Sequence, residues 1–171
     1  MNFDTALRKL DKLNNDLIIE QNLQRQAEKD IEILDSRQFI EKYLYIKTKD
    51  AKLKLFKLND PQSRIYNIIE KQRSLGKPVR LIVLKARQEG VSTLSEGLIF
   101  ENTTNNSNIN SLILAHDADG SDHVFGMSKL FYEMLPDAKK PATNYSNRKE
   151  IDYKQPLSSR IQVDTAGSAG V

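Results

Sequence analysis

The chain has 171 residues, enough for one ordinary domain with a sizeable core. Apolar residues make up 39% of it and charged residues 29%, a balance typical of a protein that works in water. It has no cysteine, so disulfides and thiolate zinc sites are excluded. No apolar run is long enough to span a bilayer, and the N-terminus lacks the pattern of a signal peptide.

The net charge of +3 hides an uneven distribution. Residues 42–87 carry 13 Lys and Arg against 3 Asp and Glu, a local charge of +10, while the rest of the chain carries −7. A basic block of this size can meet the phosphates of a nucleic acid or a nucleotide. It can also be the solvated lysine face of a hairpin and a helix, and the sequence leaves both interpretations open.

Residues 1–43 are predicted to form an N-terminal helical arm, since they contain no Gly or Pro and are rich in Leu, Gln, Glu and Lys. An apolar seam at heptad-like spacing fades too early for a coiled coil. It consists of Phe3, Leu7, Leu10 and Leu17. A second apolar set predicts a helix that docks on the main domain, and its members are Ile31, Ile33, Leu34, Phe39, Ile40 and Leu44.

The main domain is placed at 44–171, and it begins with a predicted β-hairpin. Residues 43–48 and 52–58 alternate between apolar and polar side chains, which indicates two strands with one wet, basic face. Asp60 is then predicted to cap a helix that has Pro61 at its first position.

An α/β pattern follows the hairpin and its helix. Residues 79–84 form an apolar run broken only by Arg80, which suits a buried parallel strand. A polar loop, a helix over 92–102 and a second buried strand over 111–115 are predicted next. This order of elements is typical of an α/β fold with a parallel sheet.

The last third of the chain is less regular. A helix is predicted from Asp119 or Ser121, either of which can cap it, to Met134. Residues 136–149 are polar and irregular, and 159–164 are predicted to form one more short strand. The Gly-rich end is typical of a loop between elements, so we expect the chain to be a piece of a longer protein.

The most informative stretch is 85–93, Lys-Ala-Arg-Gln-Glu-Gly-Val-Ser-Thr. The phosphate-binding consensus is G-x-x-x-x-G-K-[ST], between a strand and a helix start. Gly90 holds the second glycine position and Ser92 the hydroxyl position. Val91 stands at the lysine position and Lys85 at the first glycine position, so the cation is predicted to have moved to the front of the loop. The motif alone leaves open whether the loop binds a nucleotide or is an ordinary connection.

Five stretches together resemble the large terminase subunit of tailed bacteriophages and prophages. They are 56–62 (FKLNDPQ), 83–93 (VLKARQEGVST), 112–117 (LILAHD), 131–133 (FYE) and 162–167 (QVDTAG). The resemblance covers roughly residues 38–171, and the order and spacing fit as well as the motifs. That family is an ATP-driven motor that packages DNA into a procapsid, with an N-terminal ASCE-type P-loop ATPase domain and a C-terminal RNase H-like nuclease.

The resemblance implies an incomplete P-loop NTPase domain of the ASCE/RecA-like type over 44–171, with ATP and Mg²⁺ as its ligands. Lys85 and Arg87 would be its catalytic cations, and loops with the lysine at the front are known in the family. Gln62 would read the adenine edge, or be a surface amide on the first turn of a helix. Ser92 would ligate Mg²⁺, with Thr93 as the alternative hydroxyl. The residues matched to the nucleotide-binding loop are Lys85, Ala86, Arg87, Gln88, Glu89, Gly90, Val91, Ser92 and Thr93.

Several family features have no counterpart here: the Asp-Glu pair of Walker B, the coupling motif and the nuclease carboxylates. We therefore expect that this chain alone neither hydrolyses ATP efficiently nor cuts DNA. The strand that ends at Asp117 lacks a following Glu and is predicted to be the next strand of the sheet rather than Walker B. The acidic residues and histidines around it favour helix capping over a metal site, and they are His116, Asp117, Asp119, Asp122 and His123.

The implied partners are double-stranded DNA, the small terminase subunit and the portal, in a ring of subunits in the cytoplasm of the host cell. One rival function is a helicase-like P-loop ATPase, which would share Gln62 and the loop. Another is a non-catalytic DNA- or partner-binding module in which the loop is vestigial.

Overall fold

A computed structural model describes Leu17 and residues 34–48, 50–147 and 149–166. The chain divides into two units, Met1–Leu34 and Asp35–Val171, and all the elements below belong to the second unit. The predicted helical arm over 1–43 lies mostly outside the described residues; the described part includes a helix that ends at Tyr43, and the domain boundary at 43/44 stays a prediction.

Four α-helices and six short strands make up the described part of the second unit. The helices are α1 (Ser36–Tyr43), α2 (Asp60–Ser74), α3 (Val91–Asn105) and α4 (Ala118–Met134), and a 3-10 turn follows at Asp137–Lys139. The strands are β1 (Tyr45–Lys47), β2 (Leu53–Leu55), β3 (Asn110–Ala115), β4 (Thr143–Ser146), β5 (Glu150–Tyr153) and β6 (Arg160–Thr165). None of the helices in this part of the chain is long and apolar enough to cross a membrane.

Four of the strands form one mixed sheet in the order β3-β6-β5-β4. β3 and β6 are parallel, whereas β5 runs antiparallel to β6 and β4 runs antiparallel to β5. The predicted α/β class is confirmed, but the sheet is only partly parallel. The sequence missed β4 because it is polar and mostly exposed. It missed β5 because only Ile151 and Tyr153 supply the alternating buried residues there.

The core of the sheet lies where α4 packs against β3 and β6. On the opposite face, Leu112 and Leu114 are 58% and 62% exposed, so β3 is half-buried and not buried as predicted. Helices thus cover one face of the sheet, while the described residues leave the other face open at β3. The buried apolar cluster on the covered face consists of Phe125, Ile151, Tyr153 and Val163, with Ile113 packed against it.

The predicted buried strand over 79–84 is wrong. The segment belongs to neither sheet, and the side chains of Ile82 and Leu84 are fully exposed, at 100% and 101%. A parallel strand becomes buried only when it is paired and covered on both faces, and no strand of the described residues pairs with this one. The start of the segment is held by Gln72 instead, whose side chain accepts from Arg80 N (2.9 Å) and donates to Arg80 O (3.3 Å).

α1 packs against α3, while the hairpin packs against α1 through β2 and against α4 through β1. Phe39, Ile40 and Leu44 are buried, which confirms the predicted docked helix for its described part. Gly97 on α3 permits this contact, because a Cβ there would lie 3.2 Å from Phe56 Cε1.

The predicted hairpin is confirmed, but its single basic face is wrong. Directly opposed residues of antiparallel strands share a face, and Lys47 opposes Leu53 while Lys54 opposes Ile46. The two exposed lysines therefore lie on opposite faces. The side chains of the hairpin are partly buried at its base and exposed near its turn. A sequence that alternates apolar and polar residues does not predict this change along the strands.

Candidate phosphate-binding site

The loop that the sequence singles out is an exposed turn running into the start of α3. Gln88 and Gly90 both lie in the left-handed region, with φ of +66° and +72°. Two such residues within three positions bend the backbone sharply before the helix. Turns that use left-handed residues can aim successive N–H groups at one point and make an anion-binding concavity.

The helix after the turn begins without a side-chain cap. Gly90 is its N-cap residue, and having no side chain it makes no side-chain cap hydrogen bond. The N–H groups of the first turn lie at the positive end of the helix dipole, which is where phosphates bind. Ser92 is exposed in this first turn and Thr93 is half-buried.

Two cations precede the helix start in the chain. Lys85 and Arg87 are exposed, and Lys85 Nζ donates to the neighbouring carbonyl of Ala86 at 3.4 Å. Glu89 is the one acidic residue of the 85–93 loop. The turn is therefore electropositive and open to solvent, and its donors are not neutralised by a local carboxylate cap.

Gln62 contacts the loop, but in a way the sequence did not predict. It is 3% exposed, so it is not the surface amide that was one of the two alternatives. Its Nε2 donates to Gly90 O at 2.7 Å, and its Oε1 accepts from Asn59 N at 2.9 Å. The adenine contact stays a prediction, and the amide is already engaged within the protein.

The helix cap on α2 also differs from the prediction. Asn59, not Asp60, is the N-cap residue, and its side chain accepts from Gln62 N at 2.9 Å. Together the two residues form a capping box, in which each side chain accepts from the backbone of the other. The sequence signal was present as Asn-x-x-Gln, but Asp60 followed by proline drew the prediction one residue downstream.

Glu96, one turn after Ser92 on α3, is a buried ionisable residue that the sequence analysis missed. It is 1% exposed, and Ser128 Oγ on α4 donates a short hydrogen bond to it. Burial raises the pKa of Glu96 from 4.5 to about 7, and the Ser128 bond opposes that rise. One sequence signal for this burial was available: Glu96 lies between Leu94 and the Gly97-Leu98 pair, in a helix that is buried on most sides.

The acidic residues after β3 serve the helix that follows them. Asp117 is the N-cap of α4 and accepts from Gly120 N at 2.7 Å, so Asp119 and Ser121 were wrong as predicted caps. His116 Nε2 lies 2.6 Å from Asp117 Oδ2. The described residues include no group of three or more His, Asp or Glu that could hold a metal ion.

A cavity of about 630 Å³ reaches the first turn of α3 at Thr93. It lies between β1 and α4, and its lining is mostly apolar. Gln62 is not among its lining residues. The lining includes Tyr45, Lys47, Thr93, His123, Met127 and Phe131.

The chain matches no protein-family model and no curated protein. The resemblance to the large terminase subunit therefore depends on the five stretches of sequence quoted above, and the structure itself shows an α/β class with a mixed sheet.

Proposed function

We propose that the chain binds Mg²⁺-ATP at 85–93 and is the ATP-binding portion of a viral DNA-packaging motor of the large terminase type. In the whole motor, ATP hydrolysis would drive DNA into a procapsid. The observation that supports this best is the turn at Gln88 and Gly90, which leads into a helix start with no side-chain cap. A phosphate group is the natural acceptor for donors arranged in this way.

Each loop residue has a definite part in this proposal. The N–H groups around Gly90 hold a phosphate, while Lys85 and Arg87 neutralise the remaining oxygens. The exposed hydroxyl of Ser92 suits a Mg²⁺ ligand, because it stands in the first turn of α3 beside the same anion. When bound, Mg²⁺ would neutralise charge on the phosphate oxygens.

Hydrolysis of ATP requires more groups than binding of ATP does. An acidic group must hold the metal and position the attacking water, and the sequence has no Asp-Glu pair. Asp117 is occupied as a helix cap. The chain by itself is therefore proposed to bind ATP and to turn it over poorly.

Double-stranded DNA is the proposed macromolecular partner, with the small terminase subunit and the portal as further partners in the assembled motor. The basic block over 42–87 supports a DNA contact, since Lys47 and Lys54 project exposed from the two faces of the hairpin. Neutralising phosphates with such lysines gives affinity without sequence preference.

A second candidate is a non-catalytic DNA- or partner-binding module. It is favoured by the segment 79–84, which belongs to neither sheet although a phosphate loop is normally anchored by the strand before it. A loop without that anchor holds its donors less firmly. DNA binding with no nucleotide binding would favour this candidate over the motor.

Calorimetric titration with Mg²⁺-ATP tests the proposal on three versions of the chain: the natural one, Lys85→Ala and Lys77→Ala. Lys77 is an exposed lysine of the same basic block outside the loop, so it controls for general charge. We expect Lys85→Ala to weaken ATP about tenfold or more, the effect of one charge-assisted hydrogen bond, and Lys77→Ala to bind like the natural chain. Equal affinities for the natural chain and Lys85→Ala would contradict the role of the displaced lysine.

A further inference from the structure

We infer that Asn59 and Gln62 form a loop clamp that fixes the Glu89–Gly90 backbone at the start of α3, so that the Gln62 amide positions the phosphate loop and does not read a nucleotide base. The inference deepens the proposed function, and it rests on that proposal in taking the loop to be one that binds phosphate. The clamp itself is defined by contacts between α2 and the loop.

The contacts join residues that are far apart in the chain. Gln62 Nε2 donates to Gly90 O at 2.7 Å across 28 positions, and Asn59 Nδ2 donates to Glu89 O at 3.4 Å across 30 positions. Gly90 O also accepts from Leu94 N at 3.0 Å, the first backbone bond of α3. The same carbonyl is therefore held both by its own helix and by the neighbouring helix.

Burial keeps the Gln62 amide from a ligand. An amide side chain offers two N–H donors and an oxygen that can accept two hydrogen bonds. One N–H donates to Gly90 O and the oxygen accepts from Asn59 N, which leaves one N–H and one lone pair unused by these contacts. Since the residue is only 3% exposed, a base could reach this amide only if the clamp opened.

The glycine in the loop fits the clamp closely. A Cβ on Gly90 would lie 2.6 Å from Gln62 Nε2 and 3.7 Å from Asn59 Nδ2. Gln62 and Asn59 thus occupy the space beside Gly90 Cα. The cavity at Thr93 is not lined by Gln62.

The sharpest variant is Gln62→Glu. A glutamate at this position still accepts from Asn59 N and keeps the capping box of α2, but it has no donor for Gly90 O. Gln38→Glu is the control for the capping box, because Gln38 holds the same position in the capping box of α1, where it is exposed. Asn59→Asp is a milder variant that keeps the cap and removes only the 3.4 Å bond to Glu89 O.

The first readout needs no nucleotide. Hydrogen exchange at the Leu94 amide reports whether the Gly90 carbonyl is held. We expect exchange there to become about tenfold faster in Gln62→Glu, less so in Asn59→Asp, and to be unchanged in Gln38→Glu. Unchanged exchange in Gln62→Glu would overturn the clamp, whatever the nucleotide results are.

The second readout separates positioning from base reading. Calorimetry with Mg²⁺-ATP and Mg²⁺-GTP should show Gln62→Glu weakening both by the same factor, about tenfold, because the loop holds phosphates common to both. A loss confined to ATP would overturn the inference and restore an adenine reader. If the natural chain binds neither nucleotide while Leu94 exchange still responds, the clamp stands and the proposed function fails.

Discussion

Gly90 is the residue at which the backbone, the neighbouring helix and the proposed ligand meet. Its φ of +72° lies in the left-handed region, and Gln62 Nε2 fills the space that a side chain would need. Left-handed backbone costs a residue with a Cβ about 1 kcal/mol, and a steric contact adds to that cost.

Gly90→Ala is therefore expected to destabilise the protein by about 2–3 kcal/mol, from strain together with a displaced hydrogen bond. Gly76→Ala is the matched control, because Gly76 has φ of +64° and nothing within 4 Å of a built Cβ. Its cost should stay near 1 kcal/mol, the contribution of the backbone alone. Urea denaturation measures both values, and equal losses in the two variants would show that Gln62 does not constrain Gly90.

Glu96 makes stability depend on pH. Its pKa is about 7 in the folded protein and 4.5 without burial, so the folded state holds a proton that the unfolded state releases between these values. The contribution of Glu96 to the unfolding free energy is therefore complete below pH 4.5. It falls by about 3 kcal/mol in total as the pH rises from 4.5 to 7, and it is lost above pH 7.

Two variants on this contact should move the pH profile in opposite directions. Glu96→Gln removes the titration, so unfolding free energy should decline less between pH 4.5 and 7 than in the natural chain. Ser128→Ala removes the bond that lowers the pKa, so the decline should continue to higher pH. Denaturant midpoints measured from pH 4 to 8 give the answer, and parallel profiles for all three proteins would contradict it.

At the scale of elements, α1 depends on α3 for its burial. Ile40 on α1 is fully buried, and its Cδ1 lies 3.5 Å from the point where a Cβ of Gly97 would be. Removing such a side chain loses transfer free energy and leaves a cavity.

Ile40→Ala is expected to cost about 2–4 kcal/mol of unfolding free energy. Leu53→Ala is the control in the adjoining hairpin, since Leu53 is 50% exposed and should cost less than half as much. Urea melts of both variants test whether α1 is an integral part of the unit. A loss below 1 kcal/mol for Ile40→Ala would show instead that α1 is loosely attached.

The sequence predicted those elements whose periodicity is self-contained. The helices α2 and α4 carry their own apolar repeat and α3 is bounded by Gly90 and a polar turn, and the ends of all three were predicted to within a few residues. The 79–84 run carried an equally clear apolar signal, yet it is not a strand in the described structure. A segment forms a strand only when it pairs with another strand, and its own sequence does not specify that partner.

The candidate site was predictable in part for the same reason. Gly90 and the hydroxyl of Ser92 identify the loop in the sequence, because both are local signals. The bond from Gln62 to Gly90 spans 28 positions, and the burial of Glu96 depends on α4 packing over it. Contacts of this kind arise from tertiary packing, which no local pattern contains.

At the scale of the whole molecule, charge is concentrated where the hairpin, α2 and the loop follow one another. Residues 42–87 hold half of the Lys and Arg, 13 of 26. A surface of one sign attracts a polyanion over about 8–10 Å at physiological salt, and the attraction weakens as salt rises.

The double variant Lys47→Ala with Lys54→Ala is expected to weaken binding to a short DNA duplex and to lower the dependence on salt. If both lysines contact phosphates, the slope of log K against log salt should fall in magnitude by about 2. Lys154→Ala is the control, an exposed lysine outside the basic block. Fluorescence anisotropy at several salt concentrations measures the slopes. An unchanged slope in the double variant would show that the hairpin is not part of the DNA-binding surface.

The most direct test of phosphate binding at the loop is its location by amide NMR. The chain would be titrated with Mg²⁺-ATP and, separately, with pyrophosphate. We predict that the largest shifts in both titrations fall on the amides from Gln88 to Thr93, because these N–H groups line the turn and the uncapped start of α3. Shifts confined to the lysines of the hairpin, or no shift with either ligand, would contradict nucleotide binding at this loop.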